Sequence, residues 1–237
     1  MILYEYPLHE RVRTLLRLEH LFRRADVLQQ SALPEHHHFA LVTLFEIMDV
    51  ASRQDLKSEI LKELERHRQT FIGYRGNPAV AESALDAVLG ELDQAYQALG
   101  QQHGRVGQSL QDNEWLMAIR SRAGIPWQHL PQQQRQSNLA QWLQAFAPLA
   151  SSIELLLRLL RDAGSTRKIQ AVNGAYQQQL AGKAYQLLRL RIDGALGLIP
   201  EITGHRLMVS VRFMQPDADW RITPSSDEVP FDMTLCP

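Results

Sequence analysis

One change of period divides this chain. From Leu8 to about Arg161 the apolar residues recur at helical spacing, and after Gly164 and Ser165 they alternate with polar ones. A helix buries one stripe and a strand buries one face, so the two patterns cannot share an architecture. The first predicted helix covers Leu8 to Gln29, with Leu8, Val12, Leu15, Leu16, Leu18 and Phe22 as its apolar set. A second runs from Pro34, a residue suited to a first helical turn, to Ala51. It is expected to bury Phe39, Leu41, Val42, Leu44, Phe45, Ile47 and Met48. A third begins near Asp55, a fourth spans Pro78 to Leu99, and a shorter one covers Leu110 to Ala123. Leu139 to Arg161 splits into two helical pieces near Pro148.

Strand signals occupy the two ends. Ile2 to Tyr6 is short, aromatic and β-branched, and Pro7 closes it. Ile169 to Tyr176, Tyr185 to Ile192, Glu201 to Met214 and Val229 to Leu235 follow the helical block. In Tyr185 to Ile192 the set Leu188, Leu190 and Ile192 alternates with Arg189, Arg191 and Asp193, as in a half-buried strand. Asn173-Gly174 suits a hairpin turn if the flanking strands pair. The fold class is therefore α+β. An α-helical domain is expected over 7–163, joined to a small β-sheet domain over 164–237 that also takes the strand at 1–6. The first helix then leaves the sheet directly, at a junction where a cleft is expected.

Catalytic and metal-binding patterns are missing. There is no Gly-x-Ser-x-Gly elbow and no phosphate loop. Gly104 to Ser109 lacks the lysine of such a loop, and Gly194-Ala-Leu-Gly197 lacks the third glycine of a dinucleotide fingerprint. Cys236, the single cysteine, sits beside a terminus expected to fray, which disfavours both a disulfide and a nucleophile. His36, His37 and His38 are consecutive on a helix and point about 100° apart, so they cannot converge on one ion. His205 suits a turn satisfied by backbone. No enzyme activity, metal or cofactor is expected. No apolar run reaches the length of a membrane span and no signal peptide opens the chain, so a cytoplasmic protein is expected.

The charge pattern is more informative. Net charge is -1, which argues against a general polyanion binder. Locally, Arg11, Arg13, Arg17, Arg23 and Arg24 face only Glu10 and Glu19. Arg13, Arg17, His20 and Arg24 follow i, i+4, i+7 and i+11 spacing and share one helix face. Two further clusters, Arg120/Arg122 and Arg167/Lys168, adjoin breaks in structure. A solvated face would account for the row. Its nearly pure arginine content instead suits bidentate recognition of carboxylates on a partner segment. A nucleic-acid-binding regulator is the alternative reading of the same row, although aromatic interleaving and a recognisable module are lacking.

The segment Leu3-Tyr-Glu-Tyr-Pro-Leu-His-Glu-Arg-Val-Arg-Thr-Leu-Leu-Arg-Leu-Glu19 resembles the N-terminal signature of the ZapD family of cell-division factors. The resemblance recurs in Glu59 to Glu65, Arg105 to Leu110, Ile119 to Arg122, and Gly204-His-Arg with Val211 to Met214. It implies a helical domain joined to a β domain, and a homodimer. It also implies binding to the C-terminal tail of FtsZ and cross-linking of FtsZ filaments in the Z ring at midcell. By motif it points to Arg13 and Arg17, and further to Arg120, Arg122, Arg167 and Lys168. Where family members carry a longer stretch after an Ile-Pro, Pro126 here passes directly to Trp127. Glu114 is acidic at a position where relatives tend to be basic.

Overall fold

The computed structural model describes the chain except for residues 54, 122–124, 206 and 218, and the side chains of 125 and 126. It divides into two compact units, Met1–Thr14 with Leu157–Pro237, and Leu15–Leu156. The divisions fall inside α1 (Glu10–Gln29) and α9 (Ala147–Asp162).

The first unit is built on two antiparallel sheets. One has the order β1 (Ile2–Pro7), β4 (Leu187–Ile192), β8 (Val229–Cys236), β2 (Ser165–Ala171). The N-terminal strand thus joins the late strands, with Ile2 opposite Ile192 and Pro7 opposite Leu187. The other sheet has the order β3 (Ala175–Gln179), β6 (Met208–Pro216), β5 (Ile199–His205), and β7 (Ile222–Pro224) also pairs with β6. The alternation seen in the sequence sets the faces. Leu188, Leu190 and Ile192 share one buried cluster with Val209, Val211 and Phe213 of the other sheet. Phe213 and Tyr176 bring their rings to 5.2 and 5.7 Å from that of Phe231.

Two strand expectations change. Asn173 and Gly174 do form a tight turn, with φ of 51° and 64°. The strands beside it do not make a hairpin, because β2 pairs with β8 and β3 with β6; a single bridge, Val172 to Ala175, links them. Gly174 is required there, since a Cβ would lie 2.1 Å from the Ser225 carbonyl oxygen. Glu201 to Met214 covers most of two strands, β5 and β6, paired from Ile199–Met214 to His205–Met208. Cys236 corrects the fraying expectation: it is fully buried at the end of β8, opposite Leu187.

The second unit is helical. After α1 come α2 (Pro34–Ala51), α3 (Leu56–Ile72), α4 (Glu82–Gly100), α5 (Gln108–Gln111), α6 (Glu114–Ser121), α7 (Ile125–Gln128) and α8 (Gln132–Gln144), then α9. α3 and α4 pack side by side, tied by Arg68 to Asp93 at 2.6 Å and Arg75 to Asp86 at 2.7 Å. The helix predicted over Leu110 to Ala123 is interrupted at Asp112 and Asn113; the Asn113 side chain accepts from the Leu116 amide and starts α6. The break near Pro148 falls just before it, and Pro148 occupies the first turn of α9. Gly107, at φ 76°, lets the backbone pass the Phe146 ring, where a Cβ would stand 2.9 Å away.

α2 departs from expectation in a way that matters below. Leu41, Leu44, Ile47 and Met48 are buried as predicted, but Phe39 and Val42 are exposed. Nearly every position from Phe39 to Val50 is apolar, so periodicity alone does not say which face is outermost.

Candidate partner-binding surface

α1 is amphipathic in three dimensions. Val12, Leu15, Leu18, Leu21 and Ala25 are buried, and Arg13, Arg17 and His20 are exposed on the other side. The His9 ring accepts from the Arg11 amide at 3.2 Å, and Glu10 stands in the first turn, where its charge suits the helix dipole.

The four members of the row have different surroundings. Arg13 forms an i, i+3 ion pair with Glu10, both exposed. Such a pair contributes little to stability and leaves the guanidinium able to exchange partners. Arg17 and His20 make no hydrogen bond or ion pair with any described residue. Arg24 is occupied. Its Nε donates to Thr43 Oγ1 at 2.9 Å, and its Nη2 lies 2.7 Å from Glu46 Oε1. Thr43 is buried and its hydroxyl donates to the Phe39 carbonyl, so Arg24 straps α1 to α2.

Arg120, on α6, is also occupied. Its Nη2 lies 2.8 and 2.9 Å from the two Asp49 carboxylate oxygens, and its guanidinium sits 5.2 Å above the Phe45 ring. Glu46 and Asp49, three residues apart on α2, thus each hold one of the predicted arginines. Those acidic partners were invisible in the charge pattern, being 22 and 71 positions away. Arg122 lies outside the described residues. Arg167 and Lys168 are exposed on β2, opposite Met233 and Asp232, and as neighbours on a strand they point to opposite faces. Arg167 acts on Tyr176, whose phenol pKa is nevertheless raised because burial outweighs the cation. Arg13, Arg167 and Lys168 belong to the first unit; Arg17, His20, Arg24 and Arg120 belong to the second.

The histidine run points three ways: His36 to Ser31 Oγ at 2.8 Å, His37 to Arg135 Nε at 3.1 Å, and His38 to Gln128 Nε2 at 2.7 Å. His205 Nδ1 accepts from the Leu207 amide at 3.3 Å. Among the described residues no group of three or more His, Cys, Asp or Glu side chains is placed to hold a metal ion, and no single helix is long and apolar enough to cross a membrane. A cleft of about 500 Å³ between α4 and the start of α9, lined by Gln94, Ala98, Gln102 and Ser151 among others, contains none of the predicted cations.

The family model for ZapD, a cell division protein, matches residues 16–212. The chain belongs to the ZapD family. A Cell division protein ZapD from Ralstonia pickettii (strain 12J) is 48% identical over 250 positions, covering 100% of this chain and 99% of the relative. Another from Ralstonia nicotianae (strain ATCC BAA-1114 / GMI1000) is 49% identical with the same coverage. Those 250 positions exceed the 237 residues here, so the ZapD relatives carry about 13 positions that this chain lacks. A role in cell division follows from the family.

Proposed function

We propose that this chain is a non-enzymatic cell-division factor that binds the C-terminal tail of FtsZ through the basic row of α1. As a homodimer it cross-links FtsZ filaments and stabilises the Z ring at midcell. The observation that carries the reading is the pair Arg17 and His20, exposed on a rigid helix with no partner among the described residues. A guanidinium already held by a carboxylate must surrender that contact to take another. Arg17 needs no such exchange, so it is the principal contact; Arg13, with its exposed and weak pair, is the second. Arg24 and Arg120 contribute field and hold α2 in place; Arg167 and Lys168, on opposite faces of β2, are proposed as further contacts on the sheet unit by themselves.

A charge-assisted contact is worth about 1.5–3 kcal/mol, so removing the Arg17 guanidinium weakens binding about 10- to 100-fold. A dimer with two tail sites turns the second contact into an intramolecular one, which bridges filaments without great affinity at either site. The test is binding of a labelled FtsZ tail peptide to wild type and Arg17→Glu, together with pelleting of FtsZ filaments. Equal affinity of the two proteins, with the fold intact, rejects the arginine assignment. Binding of a DNA duplex in place of the peptide, with a steep salt dependence, would point to a nucleic-acid regulator.

A further inference from the structure

The two exposed residues that α2 was expected to bury are not isolated. Phe39 is 57% exposed and Val42 39% exposed, and they lie three apart on one face of α2. Leu33, just before α2, is 53% exposed, and Val27 on α1 is 70% exposed. α1 and α2 are joined by only residues 30–33, and Arg24 on one meets Thr43 and Glu46 on the other. The helices therefore run antiparallel. Val27 stands one turn from Arg24 towards the loop, and Phe39 stands one turn from Thr43 in the same direction. Val27, Leu33 and Phe39 thus lie towards the closed end of the hairpin, and Val42 stands about one turn further along α2, level with Arg24. Single exposed apolar residues are ordinary on a surface; four along one stretch of one hairpin form a patch.

The patch continues the basic row. Arg17, His20, Arg24 and Val27 follow i, i+3, i+7 and i+10 spacing, so the stripe passes from cationic to apolar along one helix face. Arg24, held by Thr43 and Glu46, lies between the two parts. We propose that this stripe is one docking surface for a segment with carboxylates at one end and apolar side chains at the other. The carboxylates meet Arg17 and His20, and the apolar side chains cover Phe39, Val42, Leu33 and Val27. Glu35, four residues before Phe39 and exposed on its face, repels an acidic group at the apolar end and so fixes the direction. From Arg17 to Val27 is ten residues, about 15 Å along the helix, which an extended segment spans with about five residues.

The inference rests on the proposed function, in that the FtsZ tail is the segment used to test it. Tail-peptide binding is measured for wild type, Arg17→Glu and the double variant Phe39→Ser/Val42→Ser, at about 50 and about 300 mM salt, where screening differs. The molar mass of each protein is determined by light scattering, and folding by thermal melting, with the single variant Phe39→Ser as a milder change. The double variant is expected to bind about 10-fold or more weaker with the salt dependence of wild type, because burial of apolar area is what it loses. Arg17→Glu is expected to bind more weakly and with a flatter salt dependence. Wild-type affinity in the double variant, with loss in Arg17→Glu, overturns the apolar half alone and leaves the function standing. No binding of the tail to wild type overturns the function and this inference with it. Weaker binding in the double variant that coincides with a halved molar mass makes the patch a contact between two copies of this chain, and also overturns it.

Discussion

Arg161 grips Glu5 with two parallel hydrogen bonds, Nε to Oε1 at 2.9 Å and Nη2 to Oε2 at 2.7 Å, joining the last turn of α9 to the N-terminal strand. Arg189, opposite Glu5 on β4, brings its Nε to 2.9 Å from the same carboxylate. All three side chains are about four-fifths buried. Removing the shared anion leaves two cations facing each other out of water. Glu5→Gln is therefore expected to destabilise the fold by about 2–4 kcal/mol and lower Tm by roughly 5–15 °C in a thermal melt. An unchanged Tm would mean that the ion triad is screened by solvent.

The buried pair of His37 and Arg135 sets a pH limit. Arg135 can only donate, so His37 Nδ1 must be an acceptor and the neutral ring carries its proton on Nε2. Burial lowers the His37 pKa most, the nearby Ser31 and Gln29 carbonyls oppose this, and the Arg135 and His36 charges lower it further. The unfolded chain takes a proton near pH 6.5 while the folded one does not, so this contribution is present above that pH and is lost as pH falls below it. His37→Gln keeps an acceptor for Arg135 and cannot titrate. Its stability measured by urea unfolding is expected to fall less than that of wild type between pH 7 and about pH 5.

Gly107 and Phe146 give a coupled prediction. Gly107→Ala adds strain at positive φ and presses a methyl into the Phe146 ring, for a loss of about 2–4 kcal/mol. Combining it with Phe146→Leu is expected to relieve part of the clash, so the double variant loses less than the sum of the single ones. Strict additivity in a double-mutant cycle would show the contact is not the cause.

Arg120 and Arg17 are expected to separate stability from binding. Arg120→Ala gives up the Asp49 pair and the contact with Phe45, both partly exposed, and lowers stability by about 1 kcal/mol. Arg17→Ala leaves Tm unchanged and weakens tail binding. A fall in Tm for Arg17→Ala would reveal a structural role that no contact of the folded chain accounts for.

Cys236 offers a chemical clock for unfolding. Burial raises its pKa from 9.0 to about 11, so little thiolate forms at pH 8. Reaction with a disulfide reagent is expected to be at least about 100-fold slower in native protein than in urea, as the thiolate fraction dictates. Equal rates would show that the end of β8 opens readily.

The larger architecture was legible because it rests on periods. The helix from Pro34 to Ala51 and the strands around Leu188–Ile192 and Val229–Leu235 follow from spacing and a proline. The N-terminal strand's place beside β4 followed only from there being strands elsewhere to receive it. Charge was legible as a pattern but not as availability. Whether an arginine is free depends on carboxylates far away in sequence, such as Asp49 for Arg120 and Glu46 for Arg24. The same limit hid the exposure of Phe39 and Val42, since a helix apolar on most sides does not declare its outer face.

The sheet that contains β1 also sets a timetable for synthesis. Its neighbour β4 begins at Leu187, and β8, on the far side of β4, begins at Val229. At 5–20 residues per second, the first strand leaves the ribosome roughly ten to forty seconds before its partner is made. The helical unit Leu15–Leu156 is continuous in sequence and has all its residues by then. Nascent chains therefore carry a finished helical body with an aromatic strand, Tyr4 and Tyr6 included, still unpaired at its leading end. That interval, when the unpaired strand is most exposed to misassociation, lasts until β4 is made.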